Sequence, residues 1–243
     1  MENLEAIIRL IERIDCLTPI TEWVNKINIF DVLRLSSVEI RHSNMLAWLI
    51  DPNESHGLGG KVLRGIIQYA ANEQPSEYSS FTVFRERKKI DIMAVSDKEK
   101  YVVCIENKTG TEEHDNQLDR YKQYIATAYP EYRKIMLYLS PNKKTSSDPM
   151  TWKPMGYEDI WQIVSKAKDN AELKPEAELL ITNYLDTVLA ISGGDKRIQK
   201  MCEKIYLEHS QAIDLIFKYS RETNPGDPGQ TEEKKKCVLV CQT

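Results

Sequence analysis

Several protein classes are excluded by what this chain of 243 residues lacks. No apolar run approaches the ~20 residues of a membrane span, and the start has no charged n-region followed by an apolar h-region. A prenylation box would need cysteine at position 240, which is Val240. A cytoplasmic protein with no membrane partner is the expectation. The five cysteines contain no C-x₂-C pair, which argues against a zinc site. Cys16, Cys104 and Cys202 stand in apolar surroundings and read as buried thiols of a reducing compartment. The four histidines, His42, His56, His114 and His209, show no ligand spacing. Gly57, Gly59 and Gly60 lie in DPNESHGLGG, which has neither a P-loop lysine nor a preceding strand, so it reads as a structural loop between two helices. A net charge of −4 supplies no general excess of positive charge for binding nucleic acid.

What is present is a globular composition, 41% hydrophobic and 29% charged, with enough chain for one sizeable core or a core and an appendage. The most informative stretch runs from Asp91 to Lys108. KKIDIMAV and YVVCIENK are rich in Ile, Val and Tyr, and the polar SDKEK between them suits a hairpin loop. If Ser96 and Tyr101 close a four-residue loop, counting back along both strands sets Asp91 directly across from Glu106. Opposed residues of antiparallel strands share a face, with Cβ atoms roughly 5 Å apart. Strand alternation turns Lys108 to the same side as Glu106. Two acids and an amine therefore share one face. Carboxylates that close repel by roughly 4 kcal/mol at an effective dielectric near 20. A retained proton, a bridging Lys108 or a divalent cation such as Mg²⁺ or Mn²⁺ could offset this, and only the cation also supplies chemistry for phosphodiester cleavage. The plainer alternative is a cross-strand pair of Asp91 and Lys108 with Glu106 facing solvent.

After Lys108, TGTEEHDNQLDRYKQYIATAYP has Leu118, Tyr121 and Ile125 at helical spacing, and KIMLYLSP then reads as a strand. Strand, helix and strand with short links imply a crossover and a parallel pairing. The expected fold is α/β, a mixed central sheet in αβββαβ order flanked by helices, with further helices towards the C-terminus.

The order of elements, with Asp91 on the second strand and Glu106-Asn107-Lys108 on the third, resembles the PD-(D/E)xK nuclease superfamily, of restriction-endonuclease-like fold. EIRHSNMLAWLIDPNESHGLGGKVL, RERKKIDIMAV, IENKTGTEEHDNQLDRYKQYI and YLSP followed by Trp152 resemble its uncharacterised bacterial members over roughly residues 35–190. The resemblance implies that Asp91 and Glu106 are metal ligands, with the main-chain carbonyl of Asn107 as a third, and that Lys108 is the catalytic lysine. Ile90 stands where the superfamily's name has proline. Glu39 matches an acidic residue of the first core helix, either a ligand to a second metal or a charge that suits a helix start. Gln117 and Tyr121 project from one helical face and either resemble a pair that leans over the active site in the exonuclease branch, or are an exposed amide and a half-buried aromatic with its hydroxyl at the surface. His42 and Ser43 are adjacent on a helix and cannot face each other as base and nucleophile, so capping or packing suits them.

The basic residues Arg85, Arg87, Lys88, Lys89, Lys108, Arg120, Arg133, Lys134, Lys143 and Lys144 either line one phosphate-binding face or are scattered in solvent. NLEAIIRLIERI is an amphipathic helix that packs on the core or a partner. Periodicity over 157–191 and 198–219 reads as scaffold helices. Pro225, Gly226, Pro228 and Gly229 make a hinge before a short strand or frayed tail. The divisions expected are an N-terminal helical segment at 1–34, the nuclease core at 35–155, C-terminal helices packed on it at 156–222, and a flexible tail at 223–243. The family resembled often continues further, and a chain shortened there would lack any substrate-selecting element of that region. The function implied is a Mg²⁺-dependent nuclease, with Mn²⁺ as a possible substitute, acting on DNA, with RNA a weaker reading, in defence or repair and leaving a 5′-phosphate, as a homodimer or part of a larger complex. The alternative is a catalytically silent nucleic-acid- or partner-binding module.

Overall fold

A computed structural model describes residues 2–73, 75–76, 80–110, 116–193 and 196–222 of the chain. In chain order the elements are α1 (Glu2–Glu12), a 3₁₀ turn (Ile14–Leu17), α2 (Thr18–Val24), α3 (Ile29–Val32), α4 (Glu39–Ile50), α5 (Lys61–Ala71), β1 (Thr82–Arg87), β2 (Ile90–Ser96), β3 (Tyr101–Asn107), α6 (Gln117–Ala128), β4 (Arg133–Ser140), β5 (Lys153–Gly156), α7 (Tyr157–Asp169), α8 (Pro175–Ile191) and α9 (Lys196–Glu222). Two compact units result: Ile27–Asp195, and the segment up to Lys26 together with that from Lys196. The chain therefore divides at 26/27 and 195/196, where the sequence reading divided it at 34/35, 155/156 and 222/223. The expected tail at 223–243 lies outside the described residues, as does His114.

The larger unit is built on a five-stranded sheet in the order β1-β2-β3-β4-β5. β1, β2 and β3 are antiparallel, whereas β3, β4 and β5 are parallel. Ser96 pairs with Tyr101 and Ile92 with Ile105, the register counted from the four-residue loop. Side chains alternate between faces along β2 and β3. Ile92, Ala94, Val103 and Ile105 join one buried cluster with α4, α5, α7 and α8. Met93, Val95, Val102 and Cys104 join another with Leu118, Tyr121 and Ile125 of α6. Covering on both sides explains why β3 is buried at every position. β5, which the sequence reading missed, is only four residues long and ends at α7. α5 and α7 meet at Gly65, where a Cβ would lie 2.6 Å from Ile163 Cγ2. The unit's first turn is held by Asn28, whose side-chain amide donates to Asn183 O and Thr187 Oγ1 of α8.

In the smaller unit α1 packs along α9, with Ala6 buried and Ile7 and Leu10 half-buried, while Leu4, Ile8 and Ile11 are exposed. The apolar stripe of NLEAIIRLIERI is thus covered in part, by α9. Of the three cysteines expected to be buried only Cys104 is. Cys202 is exposed on α9 and Cys16 is half-buried, because each follows its helical turn outward.

Candidate active site

β2 begins where β3 ends, so the antiparallel pairing brings Asp91 beside Glu106, Asn107 and Lys108. The main-chain N–H of Asn107 donates to Asp91 Oδ2 at 2.8 Å. Lys108 Nζ stands 2.9 Å from Glu106 Oε1 and 3.8 Å from Glu39 Oε1 at the start of α4. The other Glu39 oxygen accepts from the Thr109 N–H at 2.9 Å. Glu39, Asp91, Glu106 and Lys108 are thereby gathered at one end of the sheet. Glu106 is fully buried, so the alternative in which it faces solvent is set aside.

The electrostatics follow from burial. Desolvation, and then the charge of Asp91, push the Glu106 carboxyl up to about 8 against the opposing pull of Lys108. Desolvation also raises Asp91, although the Asn107 N–H and Lys108 work against it. Burial alone would lower Lys108, but its contact with Glu106 and the charges of Glu106, Glu39 and Asp91 outweigh that and hold it above an ordinary lysine. Three acids thus face one ammonium. Lys108 Nζ lies against Glu106 Oε1 at 2.9 Å, while Glu106 Oε2 is buried without a hydrogen-bond partner. Unfilled hard oxygen donors and surplus negative charge are what a divalent cation requires. Among the described residues no three His, Cys, Asp or Glu side chains form a ready cage.

Behind the site lies a buried polar network. The Asn107 side-chain amide donates to Ser43 Oγ at 3.1 Å, and its Oδ1 accepts from the Tyr157 hydroxyl at 2.8 Å. Asn107 therefore binds Asp91 through its backbone and α4 and α7 through its side chain. Tyr157 was not singled out in the sequence, because it lies 50 residues further along the chain. Its only signal there was a tyrosine following a glycine at a helix start. Ser43 also donates to Glu39 O, and His42 Nε2 contacts Ser36 O, so both have packing roles.

Gln117 and Tyr121 do share a face of α6. Gln117 Nε2 donates to the Tyr121 hydroxyl at 2.8 Å, and that hydroxyl donates to the carbonyl of Lys89. Burial chiefly, and then the charges of Glu106 and Asp91 against the pull of Gln117, raise the Tyr121 hydroxyl. Gln117 Oε1 is buried and without a hydrogen-bond partner. His56 is buried, with Nε2 at Asp51 O and Nδ1 accepting from Leu58 N–H, which fixes the DPNESHGLGG loop. The basic residues divide. Arg133 and Lys143 pair with Glu73 and Asp159, whereas Arg85, Lys88 and Lys89 are exposed.

A mixed sheet whose central strand ends in a buried carboxylate and a lysine, with a second carboxylate from the neighbouring strand, has the architecture of a restriction-endonuclease-like nuclease. The model of the PD-(D/E)XK nuclease superfamily matches residues 27–186, more than half of the chain, and the chain belongs to that superfamily. The matched segment begins where the larger unit begins. No curated protein and no solved structure matches it.

Proposed function

We propose that this nuclease hydrolyses DNA phosphodiester bonds with Mg²⁺, or Mn²⁺ in its place, held by Asp91 and Glu106 with the main-chain carbonyl of Asn107. The carrying observation is the fully buried Glu106 carboxyl, which has Lys108 Nζ 2.9 Å from one oxygen, no hydrogen-bond partner on the other, and the charge of Asp91 beside it. A bound divalent cation would polarise the scissile phosphate and neutralise charge as the leaving oxygen departs. Lys108, held as an ammonium by three acids, serves as a fixed positive charge for the phosphate oxygens rather than as a base. Glu39 holds the Thr109 N–H and faces Lys108, so it orients the lysine and is placed to share a second cation. Gln117 Oε1 can accept from a water or a sugar hydroxyl, and Tyr121 holds Gln117 in place. Defence against foreign DNA or repair, in the cytoplasm, is the setting such an activity fits.

Linear, circular and single-stranded DNA incubated with Mg²⁺ or Mn²⁺ tests the reading. Asp91→Ala and Lys108→Ala should each slow cleavage by about 10² or more, and unchanged rates in both would sink it. The rival reading, a silent binding module, draws on Lys108, which already partly neutralises Glu106. A calorimetric Mn²⁺ titration separates the two, since the rival predicts no heat that Asp91→Ala abolishes.

A further inference from the structure

The turn joining β1 to β2 is built against the usual preference. Arg87 pairs with Ile90, leaving Lys88 and Lys89 as a two-residue loop with φ of 57° and 68°. Loops of this kind need left-handed backbone at both positions and favour Asn-Gly, because side chains with a Cβ clash there. Glu86, just before, also has a positive φ of 51°. Non-glycine residues held in such conformations cluster where function constrains the chain. Here the strained pair consists of exposed lysines, and exposed Arg85 stands behind them. Lys122, Arg133, Lys143 and Lys168 each lie against an acid, whereas Arg85, Lys88 and Lys89 form no ion pair with a described residue. Glu86 is the acid within the turn itself. Arg87 lies over the Phe84 ring at 4.2 Å, which stiffens the hairpin. The turn is also fixed in place, since the Tyr121 hydroxyl donates to the Lys89 carbonyl two residues before Asp91.

We propose that the Lys88-Lys89 turn, with Arg85, is a docking surface for the sugar–phosphate backbone of the nucleic-acid substrate, held beside the candidate active site by Tyr121. This rests on the nuclease reading above. Lysines at a turn tip can meet successive phosphates, and such contacts release counterions without reading sequence.

The test exchanges the turn for the one its backbone prefers, Lys88→Asn with Lys89→Gly, in the full chain. If the turn served the fold alone, the exchange would raise the melting temperature and leave binding unchanged. The expected result is a melting temperature a few degrees higher together with several-fold weaker binding of a fluorescent DNA duplex in EDTA. The dependence of log affinity on log salt should become shallower by about 1.8, for two lost phosphate contacts. Lys88→Gln with Lys89→Gln, which removes charge without changing backbone freedom, should weaken binding equally, and Lys88→Arg with Lys89→Arg should retain it. Wild-type affinity and salt slope in either neutral variant overturn this inference and leave the nuclease reading standing. Wild-type protein that neither binds nor cleaves duplex or single strands overturns both.

Discussion

Glu106 is the residue at which stability and chemistry pull in opposite directions. Its carboxyl keeps a proton to about pH 8 in the folded protein, against about 4.3 in an unfolded chain. Between those values the folded state binds more protons than the unfolded one, so the metal-free protein should lose stability as pH rises from about 5 to 8. Glu106→Gln removes that dependence. Thermal melts in EDTA should show the variant equal to wild type near pH 6 and more stable near pH 9 by about 3 kcal/mol, a shift of several degrees. A variant no more stable at high pH would show that the carboxylate is not held at a cost. The same proton competes with a cation. Mn²⁺ affinity measured by calorimetry should therefore rise as pH approaches 8, with proton release that disappears in Glu106→Gln. At this scale Asp91, Glu106 and Lys108 were legible because strand alternation and a short loop determine which side chains share a face. The side-chain partners of Asn107 were not, since Ser43 and Tyr157 reach it only through tertiary packing.

Among the elements, β3 is held at its end by one residue working in two directions. Tyr157→Phe deletes the hydroxyl that donates to Asn107 Oδ1 and leaves a buried acceptor unfilled, which costs about 1–3 kcal/mol. The expected signature is a lower melting temperature accompanied by weaker Mn²⁺ binding, because the loosened strand end carries Glu106 and Lys108. Stability loss with unaltered Mn²⁺ affinity would confine Tyr157 to packing. The α5–α7 contact offers a purely structural comparison. Gly65→Ala gains about 1 kcal/mol of helix propensity, yet its Cβ would meet Ile163 at 2.6 Å. Crowding that typically costs about 1–3 kcal/mol should leave the variant less stable in a denaturant melt and its Mn²⁺ affinity unchanged. β1 to β4 and α6 were readable from apolar runs and helical spacing. β5 was not, being four residues with a proline and little apolar pattern. The stripe on α1 marked a face that α9 partly covers, though amphipathic spacing alone does not show which element supplies the cover.

For the whole molecule, both buried clusters draw every member from Ile27–Asp195, and so does every residue of the candidate site. A chain cut to those residues should fold cooperatively and bind Mn²⁺ with wild-type affinity. Loss of binding on removing the remainder would show that the smaller unit shapes the site. At a concentration one hundred times its dissociation constant, the cation should stabilise the larger unit by about 2.7 kcal/mol. The division into units was not legible beforehand. Helical periodicity is the same whether a helix packs within the larger unit, as α8 does on α7, or belongs to the smaller one, as α9 does.

β3 is the middle strand of five, and β1 and β5 form the outer margins. Descendants of this chain could lengthen either margin, graft a strand from another protein onto it, or lose its outermost hydrogen bonds, while the centre kept its spacing. Alteration at the rim would thus spare the spacing at the middle, whereas alteration at the middle would not.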